Sequence, residues 1–115
     1  MSEFQYKYKA KIKRWVDADT AVLTIDLGLK VFTNEMIRLY WIDAWEKRGE
    51  EKEKGLAALK FCEELLPVGT EVEIETFKDK SGKYGRYIVT IMIPGSDETL
   101  GERLVKEGHA EKADY

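Results

Sequence analysis

The sequence predicts a mainly β protein with helices, an α+β fold of five strands and two helices in the order β-β-β-α-β-β-α. Three observations carry that expectation. Apolar residues recur at strand spacing in several short stretches. Two other stretches change to helical spacing and carry helix start or stop signals. Polar breaks and Gly- or Pro-containing breaks separate them.

The first strand runs from Tyr6 to Val16, where Lys7, Lys9, Lys11 and Lys13 alternate with Tyr8, Ala10 and Ile12. An extended chain places those lysines along one face, read as a solvated face that discourages edge pairing rather than as a basic patch. DADT at 17–20 fits a hairpin turn into the second strand, TAVLTIDL at 20–27, and a third strand fits Met36–Ile42. The charged connection RGEEKEKG at 48–55 enters a helix on which Leu56, Leu59, Cys62, Leu65 and Leu66 follow helical spacing; Pro67 and Gly69 stop it. In TEVEIETF at 70–77, Val72 and Ile74 point inward and Glu71, Glu73 and Glu75 outward. KDKSGKYG is a turn-rich loop, and RYIVTIMI at 86–93 is the most continuous apolar strand, ended by Pro94 and Gly95. Thr99 and Glu102 make a capping box for a short helix bearing Leu100, Leu104 and Val105, with Gly108 as its stop. Five strands with a helix between the third and fourth predict a closed barrel of the oligonucleotide-binding type, an OB-fold.

Length and composition narrow the class. At 115 residues the chain is expected to be a single domain over 1–115, with one core. Its apolar runs are too short to span a bilayer, so no membrane partner is expected. The N-terminal stretch has no apolar signal region, which predicts a cytoplasmic protein unless a signal was removed. Cys62 is the sole cysteine, which rules out an internal disulfide. A net charge of −3 argues against gripping nucleic acid with the whole surface, though not against a local site.

Charge gathers where core elements end. Asp17 and Asp19 sit in the first turn, Asp43 and Glu46 just beyond the third strand, and Arg86 at the start of the fifth. Arg38 lies inside the third strand, where an arginine is costly unless paired. Strict alternation puts Arg38 and Asp43 on opposite faces, so they share a pocket only if the chain bends at Asp43. Two aspartates without a His or Cys cluster suit a hard cation, Ca²⁺ or Mg²⁺, rather than zinc. Arginines match phosphate oxygens two at a time. A glutamate three residues past a ligand is placed to deprotonate an attacking water. Singly, each of these residues also reads as a surface ion pair. Together they describe a possible divalent-metal phosphate site.

VDADT, IRLYWIDAWE and KYGR, in this order and separation, resemble the staphylococcal nuclease (thermonuclease) family, over about Lys9 to Ala110 and including LVKEGHA. The resemblance implies a five-stranded OB-fold barrel and a calcium-dependent, sugar-nonspecific nuclease that leaves 3′-phosphorylated products. It implies that Asp19, Asp43 and the Ala44 carbonyl bind Ca²⁺, that Glu46 is the general base, and that Arg38 and Arg86 hold the phosphate and stabilise its transition state. Lys83 and Tyr84 fall where the family contacts the nucleotide's terminal phosphate and ring. The implied partners are DNA and RNA, single strands favoured, with the protein acting as a monomer.

The chain departs from the family pattern in several places. DADT replaces the commoner DGDT, which matters if residue 18 needs a positive φ. DAWE replaces DAPE or DTPE, so a proline is lost beside a metal ligand and Trp45 is gained. Trp45 reads either as a base-stacking platform or as packing against the neighbouring loop. The connection at 48–55 is shorter and more acidic than the family loop, and the family's last C-terminal helix is expected to be lacking. Trp15, Trp41 and Cys62 read as core and His109 as packing or solvent contact; the resemblance implies that Tyr115 approaches substrate, as a tyrosine near this point does in the family. The alternative function is a non-catalytic OB-fold module of the same family that binds nucleic acid or protein.

Overall fold

A computed structural model of the chain describes residues 6–40, 42–45, 49, 52–77 and 87–112. Each barrel strand has an apolar face and turns it inward. β1 (Tyr6–Asp17) buries Ala10, Ile12 and Trp15; β2 (Thr20–Asp26) buries Ala21, Leu23 and Ile25. β3 (Phe32–Leu39) buries Ile37 and Leu39. A short β4 (Ile42–Ala44) and helix α1 (Lys52–Leu65) follow. β5 (Glu71–Phe77) and β6 (Tyr87–Met92) add Val72, Ile74, Val89 and Ile91 to the core. Helix α2 (Leu100–Lys106) and β7 (Ala110–Lys112) complete the described chain. The five long strands close a barrel in the order β1-β2-β3-β6-β5, with β3 and β6 parallel and the other neighbours antiparallel. This is the predicted α+β, OB-fold-like barrel.

The lysine row of β1 faces out, with Lys7, Lys9 and Lys11 directly opposite Glu75, Glu73 and Glu71 of β5. Opposite charges at paired positions favour this register. They also leave the row locally compensated, as a solvated face requires.

The first helix keeps part of its expected face: Cys62 is buried, as is Leu66 just beyond its end. Gly55, Ala58 and Cys62 are its buried residues, whereas Leu56 is exposed and Leu59 and Leu65 pack only partly. Two of the three buried residues are small, which a search for large apolar side chains misses. The helix is fixed to β1 at its end, where the Trp15 indole donates to the Leu66 carbonyl at 2.9 Å. The α2 capping box forms as predicted: the Thr99 hydroxyl accepts from the Glu102 amide, and the Glu102 carboxylate accepts from the Thr99 amide.

The third strand also differs from its expected bounds. It begins at Phe32, ends at Leu39, and hands over to β4, which pairs with β7 in a separate two-stranded ribbon. The chain therefore changes sheets around Tyr40, before Asp43 rather than at it. The β2–β3 turn places Leu29 and Lys30 at φ of 54° and 65°, and the Val31 amide donates to the Gly28 carbonyl at 2.9 Å. Those angles define a type I′ turn.

Candidate active site

Three elements converge where β3 leaves the barrel. Ala18 and Asp19 form the turn between β1 and β2, closed by the pairing of Asp17 with Thr20. Among the described non-glycine residues, positive φ occurs only at Leu29 and Lys30, so Ala18 fits this turn without strain. Ala18 is buried, and its carbonyl accepts a weak bond from the Cys62 thiol at 3.5 Å. On the next strand Arg38 lies directly opposite Thr20, and the Leu39 amide donates to the Asp19 carbonyl at 2.9 Å. The β2–β3 ladder thus sets Arg38 beside Asp19. The switch into the β4–β7 ribbon brings Asp43 and Ala44 back toward both.

The contacts are specific. Asp19 Oδ2 accepts from Arg38 Nη1 and from the Ala44 amide, each at 3.1 Å. Asp19 Oδ1 accepts from the Thr20 hydroxyl at 3.0 Å. Arg38 Nη2 donates to the Ile42 carbonyl at 3.2 Å and to Asp43 Oδ1. Asp19 and Arg38 are largely enclosed, with side-chain exposures of 10% and 16%, and charge-assisted bonds make that burial tolerable. Asp43 is 63% exposed, so its ion pair contributes only about 0–1 kcal/mol. It also lies directly opposite Glu111 in the β4–β7 ladder.

Of the residues predicted from sequence, Asp19, Arg38, Asp43 and Ala44 come together. Glu46, Arg86, Lys83 and Tyr84 lie outside the described residues, as do Trp41 and Tyr115. β6 begins at Tyr87, immediately after Arg86, and runs beside Arg38, with Ile88 as that residue's partner. Sequence reasoning missed the Thr20 hydroxyl and the Ala44 amide, which hold the Asp19 carboxylate. The first was signalled by DADT; the second, a backbone contact from β4, leaves no mark in the sequence.

Two hard carboxylates meeting at one guanidinium form a donor set that suits a hard divalent cation. Among the described residues no group of three or more His, Cys, Asp or Glu side chains is gathered for a metal. Among the described residues the oxygen donors that could hold such a cation are the Asp19 and Asp43 carboxylates.

Neighbouring residues have structural duties. The Trp45 indole donates to the Gly108 carbonyl at 2.8 Å, its amide to the His109 carbonyl at 3.4 Å, and Lys54 Nζ stands 4.9 Å from its ring centroid. These contacts are those of the packing reading. His109 stacks obliquely on Phe61, their centroids 4.8 Å apart. Cys62 is buried, and burial first, then the charges of Asp19 and Glu63, pushes its thiol up to about 12, an inert core sulfur.

A family model described as staphylococcal nuclease homologue matches residues 36–115, more than half of the chain. The chain belongs to the staphylococcal nuclease homologue family. No curated protein matches it. The matched segment contains Arg38 and Asp43 but stops short of Asp19, which the β1–β2 turn delivers from outside it. Members of this family are in general calcium-dependent nucleases acting on nucleic acids, so the chain is a nuclease-like or nucleic-acid-binding module. Among the described residues no helix is long and apolar enough to cross a membrane.

Proposed function

We propose that the chain is a single-domain, calcium-dependent, sugar-nonspecific nuclease, active as a monomer on DNA and RNA with single strands favoured, and that it leaves 3′-phosphorylated products. The observation that supports this most is the contact of Asp19, Arg38 and Asp43, delivered by a turn, a strand end and a separate ribbon. Surface ion pairs that form by chance do not draw a nearly buried aspartate, an arginine and a second aspartate from three elements to one point.

In this reading Asp19, Asp43 and the Ala44 carbonyl hold calcium, which supplies positive charge beside the scissile phosphate. Arg38 and Arg86 bind phosphate oxygens and offset the charge that grows on them in the transition state. Glu46 takes a proton from the attacking water. Lys83 and Tyr84 hold the terminal phosphate and the nucleotide ring.

Single-stranded DNA digested in calcium, with and without EGTA, is the direct test, alongside Glu46→Gln. The chelator is expected to stop digestion and Glu46→Gln to slow it about 10²-fold or more. Digestion indifferent to EGTA removes the mechanism. Oligonucleotide binding that is steep in salt, with no product over hours in calcium, makes the chain a non-catalytic module instead.

A further inference from the structure

The β4–β7 ribbon has two faces of opposite character. Asp43 and Glu111 are paired on one face, while Ile42 with Lys112 and Ala44 with Ala110 share the other. Against that second face, between the ribbon, β6 and α2, lies a groove of about 620 Å³. Small-molecule sites span about 300–1,000 Å³. Tyr40, Ile42, Thr90 and Val105 line it, and Tyr40 is held in place by stacking on Phe77, centroids 4.3 Å apart. The rim is charged. Glu98 is spent on Arg103, at 2.6 Å, and Glu102 on the Thr99 amide and hydroxyl of the α2 cap. Lys106 and Lys112 are exposed on the same rim and, among the described residues, enter no ion pair. The groove thus offers apolar walls to a flat ring and two uncommitted ammonium groups to an anion. It adjoins the candidate site through Ile42, which lines it and whose carbonyl accepts from Arg38 Nη2 at 3.2 Å.

We propose that this groove is a nucleotide site distinct from the Asp19–Arg38–Asp43 cluster, with the base between α2 and the barrel and the phosphate at Lys106 and Lys112. The chemistry of the lining selects the ligand. Apolar walls give a bare sugar phosphate nothing to bury, and a neutral apolar ring leaves both lysines unused. A nucleotide satisfies both, because ammonium groups pair with phosphate oxygens as point charges. The ribbon also sorts charge: its acids lie on one face and Lys112 on the other, so the phosphate is kept from Asp43 and Glu111. In a nuclease this unit is the neighbour of the nucleotide being cut. That assignment to the substrate strand rests on the reading above; binding in the groove does not.

Amide NMR titrations of the intact chain in EGTA, with AMP, ribose phosphate and adenosine, test this without turnover. AMP is expected to shift the amides of Thr90, Val105 and Lys112 and to bind about fivefold or more tighter than either fragment. Shifts absent from those amides, or a fragment bound as tightly as AMP, overturn the proposal. Thr90→Trp fills the groove without changing charge and is expected to weaken AMP about fivefold or more. Unchanged affinity in that folded variant overturns the proposal. Lys106→Gln with Lys112→Gln alters exposed side chains alone, so it keeps the test open should Thr90→Trp not fold. It is expected to weaken AMP about fivefold or more and to leave adenosine as in wild type. AMP held equally well by this double variant refutes the phosphate assignment and with it the site. AMP bound in the groove without DNA digestion in calcium removes the nuclease reading and leaves the site standing. Digestion without AMP in the groove does the reverse.

Discussion

Trp45 directly follows the strand that carries Asp43, and replacing it tests whether its ring fastens that strand exit or waits for a base. Trp45→Phe removes the indole donor to the Gly108 carbonyl and little else. A neutral hydrogen bond of this kind contributes about 1 kcal/mol. Trp45→Ala also removes the contact under Lys54 Nζ, about 0.5–1 kcal/mol at an exposed site. The backbone bond to the His109 carbonyl survives both changes. Losses of about 1 kcal/mol for Phe and about 2 kcal/mol for Ala are therefore expected. Urea unfolding with an unchanged slope measures them. A stacking platform predicts a different pattern: unaltered stability, single-strand affinity kept by Phe, and about 1–3 kcal/mol of binding lost with Ala. A Trp45→Ala protein within about 0.5 kcal/mol of wild type refutes the fastening argument, since that is the range of an uninvolved surface position.

The buried Cys62 thiol, pushed up to about 12, keeps its proton where an unfolded thiol, ordinarily near 8.5, has lost it. Stability should therefore fall as pH rises through that window, by up to ~1.4 kcal/mol per pH unit from this group. Cys62→Ala lacks that component, so its deficit against wild type should narrow between about pH 8 and about pH 10 in urea midpoints. Thr99→Ala deletes the hydroxyl acceptor of the α2 capping box and should cost about 1 kcal/mol, with Thr99→Ser near wild type by thermal unfolding. Leu29→Asn with Lys30→Gly places preferred residues at two left-handed positions and should stabilise the protein by about 1–2 kcal/mol in the same assay.

Much of the barrel was legible because alternation has a single physical cause. A strand with one dry face must repeat every two residues, and TEVEIETF buries Val72 and Ile74 as that pattern requires. What escaped the sequence were features in which residue type and environment disagree. Leu29 and Lys30 occupy a turn that favours Asn-Gly, so no turn signal marks them. Gly55 and Ala58 are buried on α1, though neither raises an apolar pattern. The departure of β3 at Leu39 was hidden because Tyr40 and Ile42 prolong an apolar run across a change of sheet. The site was legible as a set of residue types, and Asp19, Arg38 and Asp43 do meet. Their order of engagement was not, because it depends on how deeply each side chain is enclosed.

The placement of the acids argues against an explanation from folding alone. Asp43 and Glu111 stand directly opposite each other on a ribbon of only two three-residue strands. Like charges at paired positions weaken a ladder, and a short ribbon has little else to offset them. A lysine at either position would remove the conflict, as the β1–β5 face does at each of its charged pairs. Asp19, nearly buried at a turn, would cost less as an apolar residue or an asparagine if it served only the turn. Among the described residues, Arg38 compensates part of this charge. Among the described residues, acid thus gathers where three elements meet without the cross-strand compensation that the β1–β5 face has, an arrangement the proposed cation site would account for.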